Sequence, residues 1–191
     1  MKSLKDKIIA EGQVLDGNVL KVDGFLNQQM DMHLYEEMGK AIGTHFSQKN
    51  ITKVLTIEAS GIALACAAAR ELNFVPVVFA KKHNTLNRDA NFYSTPIFSF
   101  THNVSYNVTV AKRFLNKDDR VLIVDDFLAT GEALVGLTKL IEQAGATVVG
   151  MATAIEKGYQ GGGDALRAKG YDVLSLAIID SMQEGAINFR M

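Results

Sequence analysis

The chain has 191 residues, of which 48% are hydrophobic and 21% charged, with a formal net charge of -1. That balance excludes disordered and fibrous classes and leaves enough chain to bury one substantial core. A charge so near zero offers no bulk attraction for nucleic acid or an anionic membrane, so any anion site is built locally and the expected partner is a small molecule.

The opening Met1-Lys-Ser-Leu-Lys-Asp-Lys is not a signal peptide, and no apolar run reaches the roughly 18 residues of a membrane span, so the expected location is the cytoplasm. Residues 3–12 read as a short helix, Val19 to Val22 as a short strand, and Met30 to Gln48 as a longer helix. From Thr52 the pattern changes to short β-branched runs alternating with helical stretches, as in a parallel sheet flanked by helices. The runs are Val54–Ile57, Val75–Phe79, Val121–Val124, Thr147–Ala152 and Val173–Ala177. Residues 61–72 are apolar almost all round and suggest a helix packed on both sides, in which the single cysteine, Cys66, is expected to be buried. One cysteine also excludes an intrachain disulfide and a cysteine-rich zinc site. Residues 84–110 mix polar and aromatic side chains, fit neither a core strand nor a helix, and read as a mobile hairpin or lid. Leu134, Leu137, Ile141 and Ala144 recur at helical spacing, with Gly145 as a terminator. The expected architecture is a single α/β domain over 1–191, with a hood at about 1–50 and a core at about 51–180. Its ligands should gather at the carboxyl ends of the strands.

The strongest local signal is Val121-Leu-Ile-Val-Asp125-Asp126-Phe-Leu-Ala129-Thr130-Gly131-Glu132-Ala133. A buried strand runs into two carboxylates, a small-residue turn and a helix. Backbone N–H groups of the turn and helix N-terminus suit a phosphate, Thr130 adds a hydroxyl donor, and Gly131 permits close approach. The carboxylates can accept hydrogen bonds from neighbouring sugar hydroxyls, so together the parts describe a ribose 5-phosphate site. A bland reading is a helix cap beside a charged turn. A glycosidase pair is geometrically poor, because adjacent strand residues face opposite ways. The nucleotide triphosphatase loop Gly-x-x-x-x-Gly-Lys-Ser/Thr does not occur in the sequence.

This string resembles the phosphoribosyl pyrophosphate signature of the type I phosphoribosyltransferases. The resemblance implies that Asp125 and Asp126 hold the ribose hydroxyls and that Ala129, Thr130, Gly131, Glu132 and Ala133 cradle the 5′-phosphate. Thr56-Ile-Glu-Ala59-Ser60-Gly61 is similar to the family's pyrophosphate loop, although such strand-turn-helix junctions are common. Lys81 and Lys82 stand where family members place basic residues that reach the pyrophosphate, often with help from a partner subunit.

Lys157 follows the fourth sheet run, and its ammonium can donate to a 6-oxo oxygen and N7 but cannot accept from the 6-amino group of adenine. An oxopurine is therefore expected. The segment Leu20 to Gln29 resembles the hood of xanthine-using bacterial members, which implies Leu20, Asn27 and Lys157 as base contacts and xanthine as the base. The implied reaction joins xanthine to the ribose of phosphoribosyl pyrophosphate in purine salvage, with Mg²⁺ held mainly through that co-substrate and no direct protein ligand. A homodimer is expected from the family. The four histidines, His33, His45, His83 and His102, share no metal-ligand spacing. A hypoxanthine or guanine phosphoribosyltransferase, or a regulator sensing phosphoribosyl pyrophosphate, are the alternatives; the second lacks a basic helix-turn-helix segment here.

Overall fold

The computed structural model describes residues 1–15, 19–83, 90–99 and 104–190. The N-terminal part consists of α1 (Lys2–Glu11), the antiparallel ribbon β1 (Gln13–Leu15) and β2 (Val19–Lys21), a π turn at Asp23–Asn27, and α2 (Met32–Phe46). Asp31 sets the start of α2, since its carboxylate accepts from the Leu34 N–H at 3.2 Å. The core follows as β3 (Lys53–Ile57), α3 (Gly61–Glu71), β4 (Val77–His83), β5 (Phe92–Ser99), β6 (Val104–Ala111) and β7 (Arg120–Leu128). It continues through α4 (Glu132–Gln143), β8 (Thr147–Lys157), α5 (Gly162–Ala168), β9 (Val173–Gln183) and β10 (Ala186–Phe189).

These strands form one sheet in the order β10-β9-β8-β7-β3-β4-β6-β5. Strands β3, β4, β7, β8 and β9 are parallel, while β10, β6 and β5 join antiparallel at the edges. Alternation along the central strand accounts for two buried layers. Leu122 and Val124 pack with Leu34, Met38 and Leu64 on one face, and Val121 and Ile123 pack with Leu134, Leu137 and Ile141 on the other.

The apolar runs mark the strands but underestimate their reach. Strand β4 starts after Pro76 and continues through Lys81, Lys82 and His83, because those residues pair with Thr109, Val108 and Asn107 of β6. Similarly, β7 carries Asp125 and Asp126 inside the strand, and β8 includes Glu156 and Lys157.

Within 84–110, the described residues correct the expectation of a segment unfit for the core. Residues 92–99 and 104–111 are paired strands, and Thr95, Ile97, Val108 and Val110 are buried. Ile97 fits against Gly136 of α4 so closely that a Cβ at Gly136 would lie 2.3 Å from its Cδ1. Residues 84–89 and 100–103, with His102, lie outside the described residues. Cys66 is exposed rather than buried. Helix α3 turns Leu64, Ala65, Ala68 and Ala69 inward and leaves Cys66 and Arg70, one turn apart, on its outer face.

Helices α2 and α3 approach at glycine. A Cβ on Gly39 would lie 2.6 Å from the Ala67 carbonyl oxygen, and one on Gly43 would lie 2.4 Å from Glu71 Cβ. At the end of α4, Gly145 takes φ +71 and donates its N–H to the Glu142 carbonyl at 2.9 Å, terminating the helix where the sequence places the stop. Among the described residues no helix is long and apolar enough to cross a membrane.

Because backbone blocks the space beside Gly39, Gly39→Val should force α2 away from α3 and destabilise the protein by about 2 kcal/mol or more. Chemical unfolding monitored by circular dichroism checks this, with Ala41→Val on the same helix as the control.

Candidate active site

Asp125 and Asp126 end the apolar part of β7 with only 5% and 8% of their surface exposed. The Asp126 backbone N–H donates to Asp125 Oδ1 at 3.0 Å, which fixes the Asp125 carboxylate against its own strand. Burial, then repulsion from Asp126, pushes the Asp125 carboxyl well above the usual carboxylate range, and Lys82 partly opposes this. Their outlooks differ as strand alternation requires. Asp126 acts on Tyr35 of α2, whose hydroxyl is pushed up to about 12, mainly by burial. Asp125 acts on Tyr106 of β6, whose hydroxyl is also raised, again mainly by burial.

The turn after β7 leads directly into α4. Gly131 adopts φ +90 immediately before the helix, and no side chain caps the α4 N-terminus. First-turn N–H groups are therefore left to face a ligand. Ala129, Thr130, Gly131, Glu132 and Ala133 all line one cavity of about 120 Å³. Its other walls come from Ile97, Phe98 and Tyr106 of the hairpin, Phe127 and Leu128 of β7, Leu134 of α4 and Gln160. Glu132 is exposed, so its side chain leaves the cradle to the backbone. The Gly162 N–H donates to the Ala129 carbonyl at 3.2 Å from behind.

The second loop, Ala59-Ser60-Gly61, joins β3 to α3 beside the carboxylates. A Cβ at Gly61 would lie 2.3 Å from Thr56 Oγ1 and 2.8 Å from Asp125 Oδ1, so only glycine lets the loop sit there. The Thr56 hydroxyl is buried without a hydrogen-bond partner among the described residues. The Glu58–Ala59 peptide is cis, Ser60 makes no side-chain cap, and Glu58 Oε1 accepts from the Lys82 N–H at 2.6 Å.

The structure separates the two lysines. Lys82 lies on the carboxylate side, with its ammonium 5.3 Å from the centre of the Tyr106 ring and an attraction to Asp125. Lys81, one residue earlier, points to the other side of the sheet and lines a groove of about 590 Å³ with Val77, Phe79 and Phe114.

On the hood side, Leu20 is a core residue with 6% of its surface exposed, and Asn27 is exposed at the end of the π turn. Lys157 is half-buried, 5.9 Å from the centre of the Phe127 ring, and burial lowers its ammonium pKa. Phe127 also lines the cradle cavity, so one ring neighbours both Lys157 and that cavity. Sequence reasoning missed Phe127, Tyr106 and the glycines that back the cradle. The Gly161-Gly162-Gly163 triplet was a visible signal, whereas Tyr106 sits in a polar stretch with no local mark. Of the described histidines, His45 pairs with Asp172 at 2.8 Å on the surface, away from the cradle.

An anion cradle abutting paired buried carboxylates, with the Lys82 ammonium of β4 on the Asp125 side, suits a phosphorylated sugar. The family model that matches residues 27–191 describes the phosphoribosyl transferase domain. The chain belongs to that family.

Full-length relatives carry the same catalytic label. A xanthine phosphoribosyltransferase of Bifidobacterium longum (strain NCC 2705) is 57% identical, covering 100% of both chains. One from Ruminiclostridium cellulolyticum is 52% identical over 99% of each. The phosphoribosyl transferase fold also aligns with solved structures. The Giardia lamblia APRTase complexed with 9-deazaadenine matches with a TM-score of 0.76 at 23% identity, covering 92% of this chain and 96% of the other. Adenine phosphoribosyl transferase from Trypanosoma brucei, in complex with AMP, pyrophosphate and ribose-5-phosphate, gives 0.75 at 20% identity, covering 92% and 78%. At those identities the likeness concerns the fold alone.

The raised carboxyl of Asp125 gives a signed pH effect. A carboxyl that binds its proton more tightly when folded contributes stability below its ordinary value of 3.8, and this contribution is lost as the pH rises through the folded-state value. Asp125→Asn removes the ionisation. The unliganded variant should therefore melt higher than the parent at neutral pH, by a margin that shrinks as the pH falls toward 4. Calorimetric melting across that range is the check; equal melting temperatures at neutral pH would contradict the assignment of strain to Asp125.

Proposed function

We propose that this phosphoribosyl transferase moves the 5-phosphoribosyl group of phosphoribosyl pyrophosphate to xanthine, forming xanthosine 5′-monophosphate and pyrophosphate in purine salvage. The observation that carries the reading is the union of one anion cradle, Ala129 to Ala133, with the buried Asp125–Asp126 pair on the same strand-to-helix turn. Xanthine is favoured over other bases because full-length relatives at 52% and 57% identity bear that name.

In this reading the 5′-phosphate occupies the cradle, and the ribose 2′- and 3′-hydroxyls donate to Asp125 and Asp126. Those donors satisfy acceptors that are otherwise buried at a cost. The loop Ala59-Ser60-Gly61 and Lys82 receive the pyrophosphate. As the bond from the anomeric carbon to pyrophosphate loosens, negative charge grows on the leaving group, and the fixed ammonium of Lys82 and the loop N–H groups stabilise it. A purine nitrogen then attacks the anomeric carbon. Positioning and electrostatics suffice, with no covalent nucleophile. Mg²⁺ takes oxygen ligands, and the carboxylates of Asp125 and Asp126 beside the anion site are donors of that class. The ion would be carried mainly by phosphoribosyl pyrophosphate and would neutralise its diphosphate.

Lys157 donates to the 6-oxo side of the base, with Phe127 beside it and the hood residues Leu20 and Asn27 opposite. The lowered ammonium pKa reflects a partly desolvated site, where such a bond is stronger. Homodimerisation through the open face of β4 accounts for Phe79, which is 41% exposed, and Phe114, which is 47% exposed. Lys81 would then stand at the subunit boundary, and the enzyme would act in the cytoplasm.

Product analysis with xanthine, hypoxanthine, guanine and adenine, each with phosphoribosyl pyrophosphate and Mg²⁺, tests the function; the highest kcat/KM is expected for xanthine, and preference for another base refutes the choice. Lys157→Ala should weaken oxopurine use by roughly 1.5–3 kcal/mol without making adenine a good substrate. Asn27→Ala should lower the xanthine to hypoxanthine ratio of kcat/KM, because only xanthine carries a 2-oxo group. For the oligomer, Phe79→Glu should shift sedimentation from dimer to monomer.

A further inference from the structure

Glu156 is a fully buried carboxylate at the end of β8, one residue before Lys157, and the chemistry above makes no use of it. Its two oxygens take a bidentate pair of hydrogen bonds from Arg167 of α5, Nη1 to Oε1 at 3.0 Å and Nη2 to Oε2 at 2.7 Å. The Ser175 hydroxyl on β9 also donates to Oε2, and Ser175 Oγ lies 3.1 Å from Thr153 Oγ1 on β8. A buried ion pair contributes little net stability compared with apolar packing, so its use is better sought in what it holds in place.

It holds α5. The carboxylate lies directly beneath the helix start, where a Cβ at Gly163 would come within 2.1 Å of Glu156 Oε1. The preceding residue, Gly162, is pressed against the phosphate turn. Its N–H donates to the Ala129 carbonyl at 3.2 Å, and a Cβ there would lie 2.3 Å from Ala129 O and 2.7 Å from Gly131 N. Two successive glycines thus carry position from a buried charge to the backbone of the cradle. On the outer side, Arg190 donates to Asp164 of α5 at 2.9 Å. Lys157 projects toward Phe127, opposite to Glu156, so the base side is not on this route.

We propose that Glu156 and Arg167 are positioning residues for the phosphate cradle: by fixing α5 against β8 and β9, they set where the Ala129–Gly131 backbone meets the 5′-phosphate. The proposal rests on the phosphoribosyl reading of that cradle. Neither side chain touches substrate. A sub-ångström error in the backbone of an anion cradle is felt because its N–H donors cannot readjust independently.

The test uses the full-length enzyme with phosphoribosyl pyrophosphate and xanthine as substrates and ribose 5-phosphate as a calorimetric probe of the cradle alone. Glu156→Gln combined with Arg167→Met removes both charges together and leaves no unpaired ion that could unfold the chain. Gly162→Ala leaves the ion pair intact and perturbs only its contact with the cradle. Both variants should raise KM for phosphoribosyl pyrophosphate, and the Kd of ribose 5-phosphate, between about tenfold and a hundredfold, with KM for xanthine changed less than about twofold. Arg167→Lys, which keeps the charge but loses the fork, should fall between these variants and the parent. KM for phosphoribosyl pyrophosphate within about threefold of the parent in the Glu156→Gln/Arg167→Met variant overturns the proposal, whatever its melting temperature and whatever Gly162→Ala does, as does an equal rise for both substrates. Failure of the unmodified protein to bind ribose 5-phosphate would overturn the functional reading itself, and is seen before any variant is made.

Discussion

The arrangement depends on placing two adjacent carboxylates at the end of a strand whose two faces are both buried. Strand β7 has α3 on one side and α4 on the other, so Asp125 and Asp126 inherit an environment designed by packing for apolar side chains. Charge there is disfavoured, and the raised carboxyl of Asp125 is the direct consequence. The neighbourhood lowers that cost in a limited way, through the Asp126 N–H and the ammonium of Lys82. Hydroxyl donors of a sugar would lower it further. Under the proposed ribose contact, the same burial that strains the unliganded protein would favour a diol, tying stability and ligand binding together with opposite signs.

Strand alternation then divides the surroundings of the site between the two faces of the sheet. Tyr35 and the hood lie on the α2 side, while Tyr106, the hairpin and α4 lie on the other. The carboxylates stand where these layers meet at the carboxyl ends of the parallel strands, so a ligand placed there can be gripped from both. Glycine at Gly61 and Gly162 lets backbone come closer to the site than any side chain would allow. In the proposed reading the phosphate and pyrophosphate are held largely by main-chain N–H donors, which depend on this rigidity.

The apolar runs at Val54–Ile57, Val121–Val124, Thr147–Ala152 and Val173–Ala177, the helix ending at Gly145 and the carboxylate-turn-helix string were legible in the sequence because each is local. Their periodicity or their backbone chemistry is complete within a dozen residues, and neighbours in the chain are neighbours in space. From this alone the parallel α/β sheet followed, and the family comparison agrees with it; the phosphate cradle was proposed from the same string. The antiparallel pairing of 92–99 with 104–111 fits the hairpin read over 84–110, but its burial was not legible, since the buried residues alternate with polar ones and only α4 reveals which face is covered. Cys66 was misjudged for a related reason: an apolar helix has three sides, and its partners covered two.

What only the tertiary structure decided is which of two equivalent residues meets the site. Lys81 and Lys82 are indistinguishable by composition, and pairing of β4 with β6 turns one toward Asp125 and the other toward an open groove. Glu156 and Arg167 are 11 residues apart and carry no motif, yet burial unites them behind the cradle. Sequence by itself determined the elements and the chemistry of contiguous backbone, because those follow from bonds and periods along the chain. Facing, burial and second-layer support belong to the packing of strands remote in sequence, where the sign of a one-residue offset decides what a side chain touches.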